Sequence, residues 1–178
     1  MDWQITRQLA AEWIGTFALL FVGCGAIAAD VAYGGRIGHV GVSLVFGLVI
    51  MVMVYTYGGV SGAHFNPAVT CAFWLRGDIT SSLALLYVLV QCLAAIAGCA
   101  LAQWIFGGGM EAGVTRPREL GLLQAGVLEV LISFFLMSVI LFVARDPSAH
   151  PALTGICIGG AVAMASLFAG TATGASMN

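Results

Sequence analysis

Lysine is absent from this chain, and charge of either sign is scarce. Charged residues make up 8% of the sequence, where a soluble domain carries about a quarter. The positive side chains are Arg7, Arg36, Arg76, Arg116, Arg118 and Arg145, scattered too widely to form a polybasic lipid-binding patch. The net charge of −2 argues against a nucleic-acid partner. Cys-x-x-Cys pairs are missing, and His39, His64 and His150 stand at no metal-ligand spacing. No nucleophile is paired with a base. The chain therefore offers no catalytic residues and no metal site, and neither an enzyme nor a cofactor is expected. Cys24, Cys71, Cys92, Cys99 and Cys157 all fall in apolar segments and read as small buried hydrophobes. No basic leader precedes the first apolar run, so a cleavable signal peptide is not expected.

What the chain does have is apolar length. Hydrophobic residues make up 61% and mean hydropathy is +1.04, the composition of an integral membrane protein. A transmembrane helix needs about 20 mostly apolar residues. Spans are predicted over residues 9–29, 40–57, 83–106, 122–143 and about 152–169, with Trp3 and Trp13 as interface anchors of the first. The loop over 107–121 carries Glu111, Arg116, Pro117, Arg118 and Glu119, and Arg145-Asp146-Pro147 closes the fourth span. Gly155 with Gly159, and Ala94 with Gly98 and Ala102, stand at the spacing that lets helices approach closely. The positive-inside rule gives no orientation, because Arg7, Arg76 and Arg145 balance Arg36, Arg116 and Arg118.

Between the second and third spans lies Ser61-Gly62-Ala63-His64-Phe65-Asn66-Pro67-Ala68-Val69-Thr70, polar and helix-breaking residues in apolar surroundings. The ten residues 66–75 that follow its loop are too few to cross a hydrocarbon core of about 30 Å. The chain stops at Gly174-Ala175-Ser176-Met177-Asn178, a near copy of Gly62-Ala63-His64-Phe65-Asn66 at an offset of 112 residues. The same offset pairs Gly47 with Gly159, Gly58 with Gly170 and Ser61 with Thr173. Glu12 and Glu129 each sit near the start of an apolar span, 117 residues apart. Each unit reads as span, span, short re-entrant motif, span. An odd number of spans per unit inverts its successor. The expected fold is therefore an all-α membrane domain over 1–178, built as an inverted repeat with units at about 8–106 and 122–178. Five transmembrane helices and one re-entrant half-helix are present. The second unit lacks the rest of its motif and its third span, so the sequence reads as part of a longer chain.

Backbone without helical hydrogen bonds at membrane depth must be buried or line a watery cavity. Gly62, Ala63, His64 and Phe65 are such backbone, and their carbonyls suit a row of acceptors in a pore. Asn66-Pro67 reads as a helix start, with Asn as cap and Pro in the first turn. The positive end of that short helix would lie near the membrane centre, opposing cations, while the Asn66 amide donates to a passing oxygen.

These motifs resemble the major intrinsic protein family of aquaporins and glycerol channels, and the wording is similar to bacterial relatives of the nodulin-26-like branch. The resemblance implies six spans, two half-helices, a pore in each protomer and a homotetramer. It places the N-terminus in the cytoplasm and the protein in a bacterial inner membrane. Asn66, Pro67, Ala68 and Asn178 match the family's two signature motifs. Phe46, Ser166 and Ala175 match three of four positions at its selectivity constriction; the fourth, an Arg, would follow Asn178. The function so implied is a passive channel for water and small uncharged solutes such as glycerol, excluding ions and protons. The alternatives are a metalloid-acid channel of the same fold and a proton-coupled secondary transporter. Phe46 and Ser166, taken without the resemblance, read as ordinary helix packing. An intramembrane carboxylate faces the bundle interior or a cavity. Glu12 and Glu129 are accordingly either a proton relay or structural acceptors for the re-entrant backbone N–H groups; the resemblance favours the second. Which Glu serves which loop stays open. His64 is either a pH gate or a packed ring. With one half of the gate incomplete, 1–178 alone is expected to conduct poorly.

Overall fold

The computed structural model describes residues 2–107, 113–145 and 150–178, and six α-helices lie among them. Glu111, Asp146 and Pro147 fall outside the described residues. In chain order the helices are α1 (Trp3–Ala32), α2 (Gly38–Ser61), α3 (Pro67–Leu75), α4 (Ser81–Phe106), α5 (Leu122–Arg145) and α6 (Thr154–Ala169), with a 3-10 turn at Pro151–Leu153 leading into α6. Strands are absent among the described residues. Five helical segments are long and apolar enough to cross a membrane: Trp3–Ala32, Gly38–Ser61, Ser81–Phe106, Leu122–Ala144 and Pro151–Ala169. The nine residues of α3 reach only about 14 Å.

Helix boundaries follow local capping. Asp2 accepts from the Gln4 N–H and starts α1 six residues before the predicted span, which leaves Trp3 74% exposed beyond the bundle. Asp30 Oδ1 accepts from the amides of Ile37 and Gly38 at 2.7 and 2.8 Å, and this fixes the first turn of α2. His39, just outside the span predicted from residue 40, therefore lies inside α2; its Nε2 is 2.9 Å from the Leu167 carbonyl. His150 does lie outside the helices, where it caps the 3-10 turn. α2 runs past Tyr57 through Gly58 and Gly59 and stops where Gly62 turns left-handed at φ 87°.

Packing is tight where side chains are smallest. α1 lies along α4, and α2 along α6. A Cβ on Gly98 would stand 2.7 Å from the Phe17 carbonyl oxygen, so α1 and α4 touch backbone to backbone. Ala94 and Ala102, one helical turn to either side, are fully buried. Gly47 and Gly159, paired in the repeat, meet each other between α2 and α6. A Cβ on either would come within 2.6 Å of the other's carbonyl oxygen.

The burial pattern is that of a protein in an apolar solvent. Leu85, Leu89, Leu93 and Ile96 of α4 and Val127, Val130, Leu131 and Phe134 of α5 face outward. Glu12, Thr16, Ser61, His64, Thr70, Gln91 and Thr173 are buried. The cysteines depart from the predicted pattern. Cys24 is buried, but Cys71 and Cys92 are exposed, and Cys99 and Cys157 are half-buried. Since the outer helix faces are themselves apolar, a thiol in an apolar run need not point inward.

Candidate functional site

The site is built around two carboxylates that occupy equivalent places. Glu12, on α1 and fully buried, accepts four hydrogen bonds. Ser61 Oγ donates to Oε1 at 2.6 Å and the His64 amide to Oε1 at 3.0 Å. The Phe65 amide and Gln91 Nε2 each donate to Oε2 at 2.8 Å. On α5, Glu129 accepts from Thr173 Oγ1, from the Ser176 amide at 3.2 Å and from the Met177 amide at 3.0 Å. Each Glu thus serves the loop of its own half, which answers the question the sequence leaves open. Both act on backbone N–H groups that no helix satisfies. Leaving such a buried group unpaired costs about 1–3 kcal/mol.

The two loops share one backbone trace. Gly62 and Gly174 are left-handed at φ 87° and 96°. Ala63 and Phe65 stand at φ 52° and 50°, and Ala175 and Met177 at 48° and 52°. Left-handed conformations cost non-glycine residues about 1–3 kcal/mol each, and here the carboxylate bonds hold them. The Ser61 hydroxyl also accepts from the Ala63 amide at 3.1 Å, and the Thr173 hydroxyl from the Ala175 amide at 3.2 Å. A trans peptide sets C=O opposite the following N–H. The carbonyls of Ala63 and His64 therefore turn away from Glu12, and those of Ala175 and Ser176 away from Glu129.

Asn66 joins the two halves. Its Oδ1 accepts from the amides of Ala68 and Val69 at 2.7 and 3.2 Å, the capping predicted from Asn-Pro. Its Nδ2 donates to the Met177 carbonyl at 2.9 Å. The N-terminus of α3 therefore abuts the second loop directly.

A cavity of about 1260 Å³ passes these groups. Gly62, Ala63, His64, Phe65, Asn66, Pro67 and Asn178 line it, as do Phe46, Ser166 and Ala175. Ala68 instead borders a smaller cavity of about 470 Å³ with Glu129. The Phe46 ring is seated over Gly23 of α1, where any Cβ would overlap it. His64 is packed: its ring stacks on Phe73 at 4.6 Å, meets the Tyr87 edge at 5.3 Å, and places Nδ1 3.1 Å from Thr70 Oγ1. Thr16 Oγ1, buried on the cavity wall, has no hydrogen-bond partner among the described residues.

Sequence reasoning missed the polar layer behind the first loop. Gln91 bridges Glu12 to Thr70, and the Tyr87 hydroxyl donates to the Ser61 carbonyl at 2.9 Å. A lone Gln inside the apolar run Val88-Leu89-Val90-Gln91-Cys92-Leu93 was the available signal. It also missed the segment after residue 113, which covers the second loop. The Arg118 amide donates to the Ala172 carbonyl at 3.1 Å, and Thr115 packs against Gly174.

The sequence model of the major intrinsic protein family matches residues 1–178. This chain belongs to that family. It is 42% identical over 178 residues to aquaporin NIP1-2 of Oryza sativa subsp. japonica, covering 96% of this chain and 58% of that protein. It is 40% identical over 172 residues to aquaporin NIP1-1 of Zea mays, covering 97% and 61%. A third relative, the probable aquaporin NIP4-2 of Arabidopsis thaliana, is 39% identical over 176 residues, covering 98% and 62%. The chain thus spans about three-fifths of the length of these relatives. Among solved structures, the aquaglyceroporin from Plasmodium falciparum superposes with a TM-score of 0.86 at 24% identity, over 96% of this chain and 75% of that one. That likeness shows the fold: an all-α, aquaporin-like membrane architecture.

Proposed function

We propose that the whole protein is a passive channel for water and small uncharged solutes such as glycerol. The observation that carries this reading is the Asn66 Nδ2 bond to the Met177 carbonyl, where two re-entrant loops meet on one cavity. Hydrogen-bonding groups at that waist are neutral, and both carboxylates are turned to the loop backbones. The positive end of α3 opposes cations there, and carbonyl acceptors offer a neutral solute replacement hydrogen bonds. The relatives named aquaporins and the aquaglyceroporin structure favour water and glycerol as the solutes.

In this reading Asn66, Pro67, Ala68 and Asn178 form the central gate, and Phe46, Ser166 and Ala175 set solute size. Ser166 leaves more room than a ring would, which favours glycerol alongside water; undissociated metalloid acids fit the same argument. Glu12 and Glu129 are structural, since their oxygens are engaged by the loops. A proton-coupled transporter would need a carboxylate free to exchange its proton, and Glu12 already holds four donors. We further read 1–178 as one domain with inverted units at about 8–106 and 122–178, its N-terminus cytoplasmic, assembling as a homotetramer through its outward apolar faces. The relatives are plant proteins and lend no support to a bacterial inner membrane, so the location proposed is an integral membrane one with no compartment named. Swelling of proteoliposomes carrying the full-length protein tests the proposal. Non-saturating water and glycerol flux, unchanged by a proton gradient, is the expected result; gradient-dependent, saturating uptake would overturn it.

A further inference from the structure

Outside the gate, two free thiols face each other across the α1–α4 contact. Cys24 Sγ and Cys99 Sγ are 3.3 Å apart, with Cys99 donating. Gly98 beside Cys99 brings the two helix backbones into contact, so neither thiol can drift away from the other. Cys24 is buried in the wall of the main cavity beside Ile27 and Gly113, while Cys99 is half-buried. Gly113 rests on the sulfur itself: a Cβ there would stand 2.8 Å from Cys24 Sγ. Among the five cysteines, all of them described, no second pair of sulfurs lies in contact.

We propose that Cys24 and Cys99 form a dithiol between α1 and α4 that hydrogen peroxide converts to a disulfide. A disulfide bond is about 2 Å long, so the sulfurs must close by just over an ångström, within reach of side-chain rotation. The step balances with peroxide as the only oxidant. One sulfur attacks peroxide, the O–O bond breaks, and a sulfenic acid and one water result. The second thiol then displaces the sulfenic hydroxyl as a second water, forming the S–S bond. Two thiols are oxidised by two electrons, and one peroxide is reduced to two waters. Peroxide is small and uncharged, and it reaches the pair at the half-buried Cys99 thiol. The proposal needs only that access and does not depend on solute crossing the membrane. Closure links α1 to α4 covalently beneath Gly113. Cys71 and Cys157 lie outside this cavity lining, and Cys92, which does line it, has no thiol in contact.

The test is peroxide treatment of the full-length protein in proteoliposomes, followed by alkylation under denaturing conditions and peptide mass spectrometry. The expected result is a cross-linked species joining the Cys24 and Cys99 peptides, two hydrogens lighter than the free pair and lost on dithiothreitol reduction. Cys24→Ser and Cys99→Ser should each abolish it. Recovery of both thiols free and alkylated after peroxide would overturn the proposal. So would a cross-link through Cys71, Cys92 or Cys157 that persists in Cys24→Ser. The unsubstituted protein decides the case alone if either variant fails to fold.

Discussion

The Asn66 side-chain amide donates to the Met177 carbonyl across 2.9 Å, joining loops whose residues lie 111 positions apart. The same side chain caps α3 through its Oδ1. One residue thus sets both the start of the half-helix and its distance from the opposite loop.

Asn66→Ala removes all three of these bonds. Loss of an N-cap costs about 0.5–2 kcal/mol, and the Met177 carbonyl loses its donor as well. Thermal unfolding of the purified protein in detergent should shift down by several degrees, while the spans remain inserted. An unchanged midpoint would show that the cap and the cross-loop bond contribute nothing measurable.

Glu12→Gln keeps the shape but halves the acceptor capacity. The carboxamide oxygen can accept, but its NH2 group faces the Phe65 amide or the Ser61 hydroxyl and His64 amide. At least one buried donor is left unpaired, at about 1–3 kcal/mol each. The variant should unfold more readily, and any water flux it retains should be as indifferent to a proton gradient as that of the parent protein. Restored stability with altered gradient dependence would point to a proton-relay role instead.

Close helix contacts give a sharper contrast. Gly98→Val puts a branched side chain where a Cβ would already meet the Phe17 carbonyl at 2.7 Å, so α1 and α4 must separate. Yield of folded protein should collapse. Gly126→Ala on α5 meets nothing within 4 Å and removes an entropic penalty, so it should stabilise the helix by up to about 1 kcal/mol. Size-exclusion profiles of the two variants after membrane extraction check the pair.

The helices and both loops were legible because lipid leaves few alternatives. Apolar length marked the spans, and the repeated Gly-Ala-x-x-Asn wording marked the loops. Asn66-Pro67 announced its own cap. Less visible was anything that depends on which face of a helix points inward. Cys71 and Cys24 look alike in sequence, yet one is exposed and the other buried. The pairing of Glu12 with 61–65 and Glu129 with 173–177 needed the fold, since each carboxylate lies on the first helix of its unit, 49 and 44 residues before the Ser61 and Thr173 hydroxyls that donate to it. The start of α2 at Gly38 was hidden because its cap comes from Asp30, eight residues upstream in a different helix.

Ser166→His introduces a ring into a buried position on the cavity wall. Glycerol flux should fall at least several-fold while water flux persists. Phe46→Ala removes a ring from the same cavity and should raise glycerol flux relative to water. Equal changes for both solutes in both variants would place these side chains away from the solute path.

The most direct test of the central claim is stopped-flow light scattering on proteoliposomes of the full-length protein, read in parallel with a proton-sensitive dye. Rapid water flux and glycerol entry linear in concentration are expected, with no proton movement above empty vesicles and with loss of flux in variants that obstruct the Asn66 waist. Proton flux coupled to solute entry, or glycerol uptake that saturates and requires a pH gradient, would contradict that claim.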